Sequence, residues 1–128
     1  MLVVLDTNIL VSALWSKDGS PARVVSMMLA DIITPCYDYR ILSEYSEVLK
    51  RPKFGFSEGE IDALLGYIEI YGLSVVAQPV SERFVDEADR KFYEIAKYSN
   101  AILLTGNLKH FPKDSLVMSV QKFLGIFC

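Results

Sequence analysis

Histidine and cysteine are scarce in this chain: His110 is the one histidine, and Cys36 and Cys128 are the two cysteines. Two cysteines far apart make neither a disulfide framework nor a zinc site, which needs Cys or His in pairs at short spacing, and both read as free thiols. A Ser-His-Asp triad would have to recruit His110, yet no Gly-x-Ser-x-Gly turn presents a serine, so His110 reads as structural or as facing a substrate. Walker loops and dinucleotide-binding glycine patterns are missing too. No apolar run approaches the roughly twenty residues of a membrane span, and the first one is broken by Asp6. The opening Met1 to Asp6 lacks the basic residues and unbroken apolar stretch of a signal peptide, so a cytoplasmic protein without a membrane partner is expected. A broad basic face is lacking as well. Thirteen Lys and Arg stand against 16 Asp and Glu, a net charge of −3, so any contact with phosphates has to be local.

What is present is material for one core. With 52% of 128 residues hydrophobic and 23% charged, the composition predicts one folded domain over residues 1–128. Short apolar runs at Leu2–Leu5, Ile32–Cys36, Ser74–Ala77, Ala101–Leu104 and Leu116–Met118 predict buried strands of a parallel sheet. Helical patterns fill the gaps. Ser20-Pro21 reads as a cap and first helical residue, followed by Val24, Val25, Met28 and Leu29 on an inner face. Ile41, Tyr45, Val48 and Leu49 predict a helix that Pro52 ends. Ser57 and Glu60 have capping-box spacing ahead of Ile61, Leu64, Leu65 and Ile68. A further helix is predicted from near Asp86 with Ala88, Phe92, Ile95 and Ala96 inward, and a last one carries Val120, Phe123 and Leu124. Alternating strands and helices predict an α/β fold with a parallel sheet covered on both faces.

Ligands of such sheets collect beyond the carboxyl ends of the strands. Asp6-Thr7-Asn8 and Thr105-Gly106-Asn107 both follow predicted strands directly. Asp6 has two readings, a metal ligand or a helix cap, and Thr105 to Asn107 reads as a second set of polar groups or as a glycine turn with an Asn cap. Glu44 lies on the helix after the second strand, where a solvated surface role competes. Asp89 opens a helix whose positive end would welcome it in any case. Gathered together, such oxygen donors suit a hard divalent cation, whereas without one their mutual repulsion raises at least one pKa. A divalent cation lowers the pKa of water and offsets charge on a phosphate, so hydrolysis needs no protein nucleophile. Lys50, Arg51, Lys53, Arg90, Lys91, Lys109 and His110 are near enough in sequence to contact a phosphate substrate, against a reading as plain surface solvation.

Four stretches in order resemble the PIN-domain family over nearly the whole chain: Val3-Val-Leu-Asp-Thr-Asn8, Glu44-Tyr-Ser-Glu-Val-Leu49 before Arg51-Pro-Lys-Phe54, Asp86-Glu-Ala-Asp89, and Leu104-Thr-Gly-Asn-Leu-Lys-His-Phe-Pro112. They are similar in particular to the VapC-like toxins of bacterial and archaeal toxin-antitoxin pairs. The resemblance implies a three-layer α/β/α sandwich and a nuclease site that binds Mg2+ or Mn2+ and cleaves RNA. It implies metal ligation by Asp6, Glu44 and Asp89, with Asn107 and Thr105 completing the metal and catalytic group, while Asn8, Arg51, Arg90 and Lys109 are expected from their positions to contact the substrate. The fourth acidic position of the family is often Asp but is Asn107 here, which leaves open whether one ion or two is held. A homodimer and a small cognate antitoxin are implied in the same way. Two alternatives remain at this point: a catalytically weak domain that binds RNA or an antitoxin, and a phosphotransferase with Asp6 as nucleophile. The second usually wants a carboxylate two residues on, where Asn8 stands.

Overall fold

The computed structural model describes residues 1–128. Five strands, β1 (Leu2–Leu5), β2 (Thr34–Tyr37), β3 (Leu73–Ser74), β4 (Ile102–Leu104) and β5 (Val117–Met118), form one sheet. Its order is β3-β2-β1-β4-β5 and every pairing is parallel. The most apolar strand, β1, takes the centre: Val3 is paired with Pro35 on one side and Ile102 on the other. Val3, Val4 and Leu5 are fully or almost fully buried, as a strand covered on both faces must be.

Six helices complete the three layers: α1 (Thr7–Trp15), α2 (Ser20–Leu29), α3 (Tyr39–Leu49), α4 (Glu58–Tyr71), α5 (Arg90–Ser99) and α6 (Val120–Phe127). In the helical layers α1 packs on α2 and α3, and α3 packs on α4 and α5. The return from β3 to β4 lays α5 along β1, β2 and β4. The α4 start is fixed as its sequence predicts, with Ser57 Oγ accepting from the Glu60 N–H at 3.1 Å, and Ile61, Leu64, Leu65 and Ile68 are all buried. Gly72 ends that helix where a Cβ would come within 2.3 Å of the Ile68 carbonyl oxygen and 2.7 Å of that of Pro35. The chain can turn into β3 this close to β2 only with glycine there.

Several expectations are corrected. The second strand begins at Thr34, with Ile33 buried and Ile32 exposed. The third is two residues long; Val75 adds one more bond, its N–H to the Tyr37 carbonyl, before residues 76–85 become irregular. Ser20 is itself the first helical residue, after Gly19, and Leu29 points to solvent. Ala88 is exposed because the helix proper starts at Arg90, after a short 3-10 turn over Glu87–Asp89. Cys36 is buried, Cys128 exposed, and both are free. No helix is long and apolar enough to cross a membrane.

Candidate active site

The ends of β1 and β4 are tied to one another, and this juxtaposition builds the site. The Asp6 N–H donates to the Leu104 carbonyl at 3.0 Å, which carries the ladder one residue past the end of β1. Thr105 is fully buried, and its hydroxyl donates to Asp6 Oδ2 at 2.7 Å. The same Oγ1 accepts from the Asn107 N–H at 2.9 Å, so the turn after β4 is anchored through the residue that holds Asp6. From beneath, the buried Tyr45 hydroxyl donates to the Leu5 carbonyl. Asp6 is 5% exposed. It stands at the N-cap position of α1, yet its side chain caps nothing. Burial raises its pKa from an ordinary 3.8 to about 6, with the charges of Asp89 and Glu44 adding to the rise and the Thr105 hydrogen bond opposing it.

Asp89 is likewise relieved of capping. Asp86 does that work, its Oδ1 accepting from the Ala88 N–H at 3.0 Å, while Asp89 makes no cap hydrogen bond. Asp89 Oδ2 is buried without a hydrogen-bond partner, and His110 Nδ1 stands 3.4 Å from it. Burial raises the Asp89 pKa, the charges of Asp86 and Glu44 raise it further, and His110 works against the rise.

Glu44 faces inward from α3 and has both oxygens engaged. Oε2 accepts from the buried Thr7 hydroxyl, and Oε1 lies 2.7 Å from the Lys91 ammonium. With Glu44 held this way, no three acidic, histidine or cysteine side chains are disposed to close on one ion together. A cleft of about 500 Å³ opens on the far side of Thr105, lined by Asn8, Ser12, Asn107, Lys109, His110 and Gln121 among others, with Asp6, Glu44 and Asp89 outside its wall. Asn8 and Lys109 thus lie together at this edge. Arg51 and Arg90 do not join the cleft: Arg51 pairs with Glu47 at 3.0 Å, and Arg90 is spent on Glu87 and on the Val80 carbonyl at 2.8 Å. What sequence reasoning missed is the partnership of Lys91 with Glu44. The available signal was electrostatic: three gathered carboxylates call for a cation, and Lys91 stands two residues from one of them.

Comparison with known proteins bears on this arrangement. Residues 2–109 match the family model described as PIN domain. An uncharacterized protein of Methanocaldococcus jannaschii is 31% identical over 108 residues, a stretch that covers 82% of this chain and 70% of that protein.

Proposed function

This chain belongs to the PIN domain family, whose members are in general metal-dependent nucleases, and from that premise we propose that it is a Mg2+- or Mn2+-dependent endoribonuclease, the toxin of a toxin-antitoxin pair. The observation that carries the metal reading is the buried Asp89 Oδ2 with no hydrogen-bond partner, near an Asp6 whose burial disfavours its charge. Buried acceptors of this kind are costly unless something positive meets them. An all-oxygen donor set fits a hard cation. Asp6 and Asp89 would hold it, Asn107 would offer a neutral oxygen, and Thr105 keeps Asp6 oriented. Glu44, held by Lys91 and Thr7, would stand beside the ion and orient water there. When bound, the cation supplies an acidified water and positive charge against the phosphate.

The polar cleft between the β4 turn and α1 is the place for RNA, with Lys109 drawing the phosphate and Asn8 and Asn107 offering hydrogen bonds to it. The toxin role, a small antitoxin and a homodimer rest on the four resembling stretches. The test is cleavage of single-stranded and structured RNAs with Mg2+ or Mn2+ against EDTA. Asp6→Asn is expected to lose metal binding and cleavage while keeping its circular dichroism spectrum. Metal-dependent cutting by that variant sinks the assignment. Purification of the natural complex tests the toxin role, which requires a small neighbouring-gene product to come with this chain.

A second reading has its own support, in the neutral Asn107 and in the engaged Glu44. It is a weakly catalytic domain that holds RNA or an antitoxin. Association with RNA but no metal-dependent cutting in the same assay favours it.

A further inference from the structure

We propose that Lys91 is a built-in cation of the acidic site, so that this chain takes one divalent ion, at Asp6 and Asp89, and no second ion at Glu44. The proposal rests on the metal-dependent reading above. Its basis is the manner in which Lys91 is held. The ammonium is 2.7 Å from Glu44 Oε1, and the side chain is 12% exposed. It also donates to the Ala88 carbonyl and lies 5.0 Å from the centre of the Phe92 ring. A lysine that merely decorated the surface would not be enclosed by a carboxylate, a carbonyl and an aromatic face at once. Because Ala88 and Phe92 flank it in sequence, the cation is held by the start of its own helix as well as by α3.

Glu44 is thereby saturated, with the ammonium on one oxygen and the Thr7 hydroxyl on the other. A small divalent ion binds carboxylate oxygen at about 2.0–2.1 Å and would have to displace the ammonium or crowd a like charge against it. The charge balance agrees. Asp6, Glu44 and Asp89 carry three negative charges, Asn107 adds none, and Lys91 removes one. Two remain, which one divalent ion balances. Glu44 and Lys91 are positioning residues on this account: they fix charge beside the ion without ligating it.

Counting bound Mn2+ at neutral pH by electron paramagnetic resonance reads this directly, independent of RNA cleavage. One ion per chain is expected for the unaltered protein and for Lys91→Arg, which keeps the cation. Lys91→Met frees Glu44 and is expected to bind a second ion, or to bind the first about tenfold more tightly; Glu44→Gln in that background should cancel the gain. Glu44→Gln alone leaves the Lys91 charge uncompensated beside the ion and should weaken binding of the single ion by about tenfold. Two ions on the unaltered protein, or a folded Lys91→Met with unchanged count and affinity, overturn the proposal. If Lys91→Met fails to fold, the ion count decides on the unaltered protein and on Lys91→Arg, where two ions on either overturn the proposal. An unaltered protein that cuts RNA with two ions bound refutes this inference alone, whereas one that binds no Mn2+ refutes the metal-dependent reading with it.

Discussion

Asp6 sets burial against charge. It is 5% exposed, it receives one side-chain hydrogen bond from Thr105, and burial lifts its pKa from 3.8 to about 6. Between those two values the unfolded chain ionises while the folded chain keeps its proton. The stability associated with Asp6 is therefore fully present below about pH 4 and is lost as pH rises through about 6, by about 3 kcal/mol at most. In EDTA, Asp6→Asn should thus melt higher than the unaltered protein at pH 7.5, by about 5 °C or more, and the advantage should vanish at pH 4. Millimolar Mg2+ should raise the melting point of the unaltered protein at pH 7.5 and leave that of the variant in place. Equal melting of the two in EDTA at pH 7.5 would show that the carboxylate is not penalised. Sequence alone leaves Asp6 and Asp89 balanced between ligand and helix cap. In the structure Asp86 caps the 3-10 turn ahead of α5, Asp89 at the start of α5 makes no cap bond, and Asp6 accepts from Thr105 without capping α1. A choice between two acceptors three residues apart depends on where the helix begins, and composition does not fix that.

At the scale of elements, α5 does two jobs with one set of residues. Its outer end brings Asp89 and Lys91 to the site, and its Arg90 and Glu94, one turn apart, grip the Val80 backbone from both sides. Arg90 donates to the Val80 carbonyl at 2.8 Å, and Glu94 accepts from the Val80 N–H at 3.0 Å. Glu94 is 3% exposed and is paired with Arg40 at 2.7 Å. These bonds fasten the irregular segment that follows β3. Glu94→Ala would leave the Val80 N–H without its acceptor and Arg40 with Asp38 alone, a cost of about 3 kcal/mol, measurable as a lower urea midpoint. It should also speed tryptic cleavage after the exposed Arg83, and unchanged proteolysis would mean that the segment is held by other contacts. Sequence patterns found α3, α4 and β1 because each has a clean apolar face or run. They did not assign α1, in which Ile9, Leu10, Val11, Ala13, Leu14 and Trp15 surround the helix with apolar side chains and no period stands out. Nor did they foresee how short β3 is, since Val76 and Ala77 read as strand whereas the chain there leaves the sheet and Val76 is 87% exposed.

The whole molecule is acidic, with a net charge of −3, and this sets how it can meet a polyanion. The cleft beside Thr105 brings together Asn8 and Ser12 of α1, Lys109 and His110 after β4, and Gln121 of α6. These residues come from opposite ends of the sequence, so their assembly follows from β1 and β4 lying side by side and from α6 packing on α2, not from any local motif. Among the cleft residues Lys109 is the one permanent cation. Arg51 and Arg90, expected from sequence to help, are held in ion pairs elsewhere. RNA binding should therefore release few counterions. Fluorescence anisotropy with a short single-stranded RNA in EDTA, which suppresses metal-dependent cutting, should give a slope of log affinity against log salt of about −1 to −2. Lys109→Ala should flatten it by about 0.7, while Arg51→Ala and Arg90→Ala leave it in place. A slope steeper than about −4 would demand a broad basic surface. The charge balance of this chain then could not account for its grip on RNA, and the cleft would cease to be the place where the substrate lies.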